Sequence, residues 1–167
     1  MPTRDDYLLR FVDLLRQAIA ESIKLREKGR PDQAMFALMV AQEKLFARPL
    51  AEFAPLPLEE QLRLLTLNEP APTAREKVLG YARLLREAAF NYGARDRSDL
   101  AESTFQLALT VGLHGALDYI DEGASAVVQP SVLSADAIEF LRDLLARIPP
   151  QKLHAPVVEM LKRVQLA

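Results

Sequence analysis

The sequence contains no cysteine, which excludes disulfides, thiolate nucleophiles and cysteine metal ligands together. That absence is compatible with a reducing cytoplasm, although it does not decide the redox compartment. The six glycines are isolated, and none forms the GxxxxGK or GxGxxG spacing with which backbone amides cradle phosphate groups. Nucleotide chemistry by those two routes is therefore excluded.

Long apolar runs are absent too, so no segment of the sequence is predicted to cross a bilayer. The opening MPTRDDYLLR carries charges where a signal peptide needs an apolar stretch. Acidic and basic residues are interspersed, and the formal charge of -2 gives no field that would draw the chain onto nucleic acid or anionic lipid. We therefore expect a cytoplasmic protein that binds neither nucleic acid nor membrane.

Apolar residues recur at three-and-four spacing along most of the chain, and this period predicts helices. Hairpin one is expected over residues 5–47, with Gly29 ending its first helix and Pro31 starting its second, which runs to Phe46. A connector with one short helix should follow over residues 48–72, because prolines interrupt the period there.

A capping box formed by Thr73 and Glu76 predicts the start of hairpin two, over residues 73–113. Ser98 or Asp99 is expected to cap its second helix. Capping helices are then predicted over residues 114–167. They comprise a short helix from His114, a loop over 124–133, a helix capped by Ser134 that ends at Ile148, and a last helix over 152–165.

A short pattern is written twice, 67 residues apart, as Ala34-x3-Leu38-x2-Ala41 and Ala101-x3-Phe105-x2-Ala108. Alanine at these points lets two helices approach closely, while the large apolar residue fills the groove toward the next hairpin. The pattern resembles the second helix of the tetratricopeptide repeat, and Ala89 and Tyr92 match the small and aromatic positions of that family's first helix. The first copy has Ser22 and Leu25 at those positions, and neither copy has the closing proline.

The opening stretch from Asp6 to Val12, with Lys24 to Ala34, also resembles a bacterial family of uncharacterised tetratricopeptide-like proteins. The two resemblances imply an all-α fold over residues 1–167. It would be a TPR-like helical hairpin array, a right-handed α-α superhelix, with capping C-terminal helices. The resemblance to the bacterial family implies no known activity.

In tetratricopeptide proteins the first helix of each hairpin lines a concave surface, and the register of the repeated alanines places six residues there. We call these the inner face: Arg16, Ile23, Arg26, Arg83, Arg86 and Phe90. Arginines beside apolar residues can hold an acidic or C-terminal peptide, because guanidinium pairs with carboxylate in two-pronged geometry. The family's carboxylate clamp is absent, since Ile19, Ile23 and Glu87 stand at its positions. The competing interpretation is that arginine stems cover apolar surface and that the last two helices fill the groove.

These observations predict a noncatalytic protein-protein interaction or scaffold module with no cofactor. The alternative is a small-molecule- or metal-binding helical domain that uses His114, Asp118 and Asp121, because the first two can share a helical face. The simpler interpretation is a histidine at a helix end beside solvated acids.

Self-association into a homodimer is a further expectation, because the apolar stripe of the first helix is wider than one neighbour requires. The predicted seam consists of Leu8, Phe11, Val12 and Leu15. Met35, Phe36 and Met39 of the second helix are interpreted as core or as an interface, with the core favoured. The basic residues Lys152, Lys162 and Arg163 are interpreted as a solvated helical face.

Overall fold

The computed structural model describes residues 3–119, 134–164 and 166, and this part of the chain is built from helices. The helices are α1 (Arg4–Glu27), α2 (Pro31–Phe46), α3 (Leu50–Phe53), α4 (Leu58–Thr66), α5 (Ala71–Ala94), α6 (Ser98–Leu117), α7 (Ala135–Ala146) and α8 (Ala155–Arg163). A 3-10 turn over Pro150–Lys152 precedes α8. The predicted all-α class is confirmed. The loop predicted at 124–133 lies outside the described residues.

Hairpin one forms as the turn residues predict. Gly29 adopts the left-handed conformation with φ 73°, which a residue without Cβ takes up at little cost. Pro31 is then the first residue of α2, where its missing N–H leaves no intrahelical bond unmade. Thr3 begins α1 with a capping box that the sequence interpretation missed, in which Asp6 N donates to the Thr3 hydroxyl.

The predicted connector contains an additional short helix, α3, which is held by an aromatic cluster. Phe53 is buried between Phe46 and Tyr81, with ring centroids 5.4 and 5.6 Å from its own. Gln61 Nε2 donates to the carbonyl oxygens of Phe53 and Leu56 at 3.2 Å. The hydroxyl of Tyr81 donates to Gln61 Oε1 at 2.8 Å, which anchors the turn after α3 on α5.

Burial raises the pKa of Tyr81 from its ordinary value of 10.0 to about 12. Between these two values the unfolded chain is deprotonated at this side chain and the folded chain is not, so stability is lost as pH rises. The shift corresponds to about 2–3 kcal/mol by linkage. We expect the free energy of unfolding of the wild type to fall between pH 10 and 12. This fall should exceed the fall in the Tyr81→Phe variant by the same amount, as measured by urea unfolding at each pH. Parallel pH curves for the two proteins would contradict the assignment.

The predicted caps of hairpin two are wrong, and the prolines give the reason for the first. Pro70 precedes α5 and Pro72 lies in its first turn, so the helix begins before Thr73, which is buried inside it. Ser98 is the first helical residue of α6, so Arg97 occupies the N-cap position and no side chain accepts a capping hydrogen bond there. Hairpin two therefore starts two residues earlier than predicted.

The helix predicted to start at His114 is the continuation of α6, which ends at Leu117 instead of Leu113. Its apolar face remains buried to the end, so the helix has no reason to stop earlier. Ser134 caps α7 as predicted, since its hydroxyl accepts from Ala137 N at 3.1 Å. The last helix begins at Ala155 rather than at residue 152, with Pro156 in its first turn.

Small residues lie at the helix contacts, as the repeated pattern predicts. Ala34, Ala101 and Ala108 are buried, whereas Ala41 is only half-buried. Glycines permit further close approaches: a Cβ on Gly80 would lie 3.0 Å from the ring of Phe11, and one on Gly112 would lie 2.7 Å from Leu141 Cδ2. These residues set how closely α1 approaches α5 and how closely α7 approaches α6.

Two apolar clusters result. The larger is formed by residues of α3 to α8, and the smaller by Phe11, Leu15, Leu38, Leu45 and Leu84 where hairpin one meets α5. Phe46 packs against both clusters. Within the described residues no helix combines the length and apolar character needed to cross a membrane. The cytoplasmic location expected from the sequence stays a prediction.

Candidate functional site

A cleft between α1 and α5 contains three of the six residues predicted for the inner face, at least one from each hairpin. Its cavity measures about 330 Å³ and is lined on the α1 side by Arg16 and Ile23, with Ile19 between them. Arg83 lies on the α5 side, and Asp136 lines the cavity from the first turn of α7. We call this the α1–α5 cleft. It combines an apolar wall with charged groups, the composition expected of a peptide site.

A second cavity of about 400 Å³ lies between α5 and α7 and shares Arg83 and Asp136 with the first. Arg86 and Phe90 line it from α5, and Phe140 lines it from α7. Arg83, Arg86 and Phe90 therefore share one face of α5, as the register of the alanines predicts. The shared lining residues make the two cavities neighbours along the inner face.

The chain's own α7 lies against the α5 half of this face. Arg86 Nη1 is 3.2 Å from Asp143 Oδ2. The guanidinium carbons of Arg83 and Arg86 lie 4.9 and 4.6 Å from the centroid of the Phe140 ring, within the range of a cation–π contact. Arg147 lies over Phe90 in the same way, at 4.6 Å. The competing sequence interpretation, in which a late helix fills the groove, thus holds for this half of the face.

Arg26 has a different environment, since its guanidinium is engaged between α1 and α5. Its Nη1 donates to Glu87 Oε2 and to Asn91 Oδ1, each at 2.9 Å. Asn91 Nδ2 donates in turn to Ser22 Oγ at 3.0 Å, and the side chains of Ser22, Glu87 and Asn91 are buried. Arg26 therefore fixes the spacing of the two walls of the cleft.

Sequence reasoning missed this network, although a signal was present. Glu87 and Asn91 stand four residues apart on the buried face of α5, and Ser22 interrupts the apolar stripe of α1. Polar groups inside an apolar stripe require partners, because an unpaired buried charge costs several kcal/mol. A cation on the neighbouring helix satisfies this requirement, and Arg26, which the sequence analysis placed on the peptide-binding face, supplies it.

Charged groups of both signs meet on the inner face, because Glu76 and Asp136 line the α1–α5 cleft together with Arg16 and Arg83. Burial and the neighbouring Arg86, with a smaller repulsion from Arg16, lower the pKa of the Arg83 guanidinium despite the acids Glu76 and Asp136. The buried Nε of Arg86 has no hydrogen-bond partner in the described part of the chain. A carboxylate placed beside Arg83 would therefore relieve repulsion between guanidinium groups.

The residues of the alternative metal or ligand site are only partly described. His114 Nδ1 and Asp118 Oδ2 lie 2.6 Å apart on the surface of α6 and just beyond its end, so the two share a helical face as expected. Asp121 lies outside the described residues. Over residues 3–119 and 134–164, no group of three or more potential ligands is arranged to hold a metal ion.

Two assignments of apolar residues are wrong. Phe36 is 67% exposed and Met39 is 41% exposed, so α2 turns them to solvent rather than to the core. Phe11 and Leu15, assigned to an intermolecular seam, are buried inside the chain against Gly80. The apolar period locates the stripes on α1 and α2, but it does not say which stripe meets a neighbour within the same chain.

The basic residues near the C-terminus form ion pairs at the surface. Lys152 pairs with Glu102, and Lys162 Nζ is 2.9 Å from Glu159 Oε1. These exposed pairs agree with the interpretation as a solvated face.

Comparison with profiles of known protein families, with curated protein sequences and with solved structures returned no match.

Proposed function

We propose that the protein is a noncatalytic interaction module in which the α1–α5 cleft binds an acidic or C-terminal peptide segment. In this proposal the two hairpins form a TPR-like array whose concave side is the inner face. The observation that supports the proposal most directly is the seating of α7, whose carboxylate and aromatic ring lie against Arg83 and Arg86.

The chemistry of α7 indicates what kind of segment suits this face. Asp143 supplies a carboxylate to Arg86, and Phe140 supplies an apolar surface to two guanidinium groups. Charge-assisted hydrogen bonds of this kind are about twice as strong as neutral ones. The α1 half of the face offers the same combination, because Arg16 stands beside Ile19 and Ile23.

In the proposed complex an apolar side chain of the peptide packs against Ile19 and Ile23. A carboxylate lies between Arg16 and Arg83, which line the same cavity. Arg26 does not contact the ligand in this arrangement, because its hydrogen bonds to Glu87 and Asn91 hold the cleft open at a fixed width. The peptide therefore enters a cleft whose walls are already positioned.

The test uses three fluorescein-labelled hexapeptides with leucine as the last residue. The first has an aspartate before the leucine and a free C-terminus, the second is its amide, and the third carries lysine in place of aspartate. We expect anisotropy titration to show that the first binds best and that added salt weakens it. Arg16→Gln and Arg83→Gln should each raise its dissociation constant about tenfold or more, since each loses a charge-assisted bond.

Arg95→Gln is the matched control, because Arg95 is exposed at the far end of α5 and does not line the cleft. It should leave the dissociation constant unchanged. Equal binding of the three peptides, or equal affinity of the wild type and Arg83→Gln, would contradict the proposed site. Circular dichroism of each variant separates a lost contact from a lost fold.

A further inference from the structure

A second groove lies between α1 and α2, and its surface is apolar. Its cavity measures about 420 Å³. The apolar lining residues, which we call the α1–α2 groove, are Leu14, Ala18, Phe36, Ala37, Val40 and Ala41. Phe36 is 67% exposed and Val40 is 49% exposed, so large apolar side chains face water here. Contiguous apolar surface of this kind marks an interaction site more often than isolated exposed residues do.

The internal repeat shows what this face is suited to contact. At the 67-residue offset, Leu14 and Gln17 of α1 correspond to Tyr81 and Leu84 of α5. In hairpin two these positions are covered by hairpin one: Leu84 belongs to the smaller apolar cluster, and the Tyr81 ring meets Phe46 at 5.4 Å. The α1 wall of the groove is thus the equivalent of a surface that packs against another helical hairpin.

An end surface of a helical array is normally polar, because it has no neighbouring repeat to bury it. The corresponding pair Ala41 and Ala108 shows the contrast. Ala108 is fully buried, whereas Ala41 is half-exposed in the floor of the groove. Only residues of α1 and α2 line this groove in the described part of the chain. The apolar composition of the groove is therefore that of a buried contact, although its large side chains face water.

We propose that the α1–α2 groove is the interface of a symmetric dimer of two copies of this chain. Charge indicates the occupant. Glu21 and Lys44 flank the groove, and because α1 and α2 are antiparallel these residues lie toward opposite ends of it. A twofold axis that lies in the contact plane, perpendicular to the line from Glu21 to Lys44, places Glu21 of one copy opposite Lys44 of the second copy and also Lys44 opposite Glu21. Neither residue forms an ion pair with another described residue.

The shape of the groove is self-complementary as well. Phe36 projects from the edge of the groove. Ala18, Ala37 and Ala41 have small side chains, which leave a recess between the two helices. In a twofold arrangement each copy can insert Phe36 into the groove of the other. A contact in which projection and recess belong to the same surface is what an isologous interface requires. This interface is separate from the α1–α5 cleft and does not depend on the peptide proposal.

The test uses two charge reversals, Glu21→Lys and Lys44→Glu, with mass determined by light scattering and native mass spectrometry. The wild type is expected to be dimeric. Each variant alone places two like-charged pairs across the axis, which should raise the dimer dissociation constant about tenfold or more. A mixture of the two variants should form a one-to-one heterodimer, because the introduced lysine then faces the introduced glutamate while the two unchanged residues still face each other.

Phe36→Asp tests the apolar contact and should raise the dissociation constant about a hundredfold, since a buried aromatic anchor is replaced by a charge. Leu9→Asp is its control, because Leu9 is 63% exposed and lies outside the groove. A wild type that stays monomeric at its highest soluble concentration would overturn the proposal. A dimer that is unaffected by Phe36→Asp and by both reversals would overturn it too, because the interface would then lie elsewhere. Circular dichroism confirms that each variant is folded.

Discussion

Replacement of Arg26 by methionine is expected to lower the free energy of unfolding by about 3–5 kcal/mol. Methionine keeps most of the apolar stem but leaves the carboxylate of Glu87, which is 3% exposed, without its cation at 2.9 Å. Asn91 loses a donor at the same time. A buried charge without a partner costs far more than the net contribution of the pair, so the loss should be large. Urea unfolding followed by circular dichroism measures it.

Arg95→Met is the matched control, since Arg95 also pairs with an acid of hairpin one, Asp32, at 2.7 Å. That pair is exposed, and its loss should cost less than about 1 kcal/mol. The double variant Arg26→Met, Glu87→Met should recover much of the stability, because an apolar pair of similar volume needs no cation. Equal losses for Arg26→Met and Arg95→Met would show that the buried network does not stabilise the fold.

Truncation of Leu141 to alanine is expected to cost about 2–5 kcal/mol. Leu141 is fully buried and joins α7 to α6. Removal of its methyl groups leaves a cavity that the surrounding helices fill only in part. Leu9→Ala removes the same atoms from an exposed position and should change stability by less than about 0.5 kcal/mol. Thermal and urea unfolding of the two variants give the comparison.

Gly112 makes this prediction sharper, because a methyl group there would lie 2.7 Å from Leu141 Cδ2. Gly112→Ala alone gains about 1 kcal/mol in helix propensity but must displace a packed leucine at a cost of about 1–3 kcal/mol. In the double variant the added methyl group occupies space that Leu141→Ala has opened. We expect the double variant to be at least about 1 kcal/mol more stable than the sum of the two single-variant effects predicts. Additive losses would contradict the close contact.

The sequence predicted the long helices well because their apolar period is continuous. The bounds of α2 are the predicted ones, and Gly29 and Pro31 set its start for local reasons. Errors arose where two local signals competed. Thr73 and Glu76 have the form of a capping box, whereas Pro70 and Pro72 favour an earlier start of the helix. The helix begins at Ala71, as the prolines favour. The four-residue helix α3 is too short to show a period at all.

The candidate site was predictable in its register but not in its occupancy. Arg83, Arg86 and Phe90 share one face because residues three and four apart on a helix must do so. That Phe140 and Asp143 cover part of this face depends on how α7 packs, more than fifty residues along the chain. No local pattern carries such a contact. The half beside Arg16 stays open for the same reason, because it depends on where α7 packs.

The same limit explains Phe36. Phe36 has the spacing of an apolar stripe in α2. Such a stripe indicates that the helix buries one face, but it does not indicate which element covers that face. The internal repeat gives a comparison for the α1 wall of the groove only, because the equivalent positions of α5 are covered by hairpin one. Ser103, the residue of α6 that corresponds to Phe36, is exposed as well.

The division of the interior into two apolar clusters also determines how the protein opens. Leu84 is the buried member that α5 contributes to the smaller cluster, and the other members come from hairpin one. Detachment of α1 and α2 therefore removes Phe46 from the edge of the larger cluster but keeps the buried members of that cluster together, and it exposes less apolar surface than global unfolding does. Backbone amides of hairpin one should exchange with solvent at a lower free energy than those of α5 and α6. A partner seated on Phe36 would slow that exchange by stabilising the folded hairpin one.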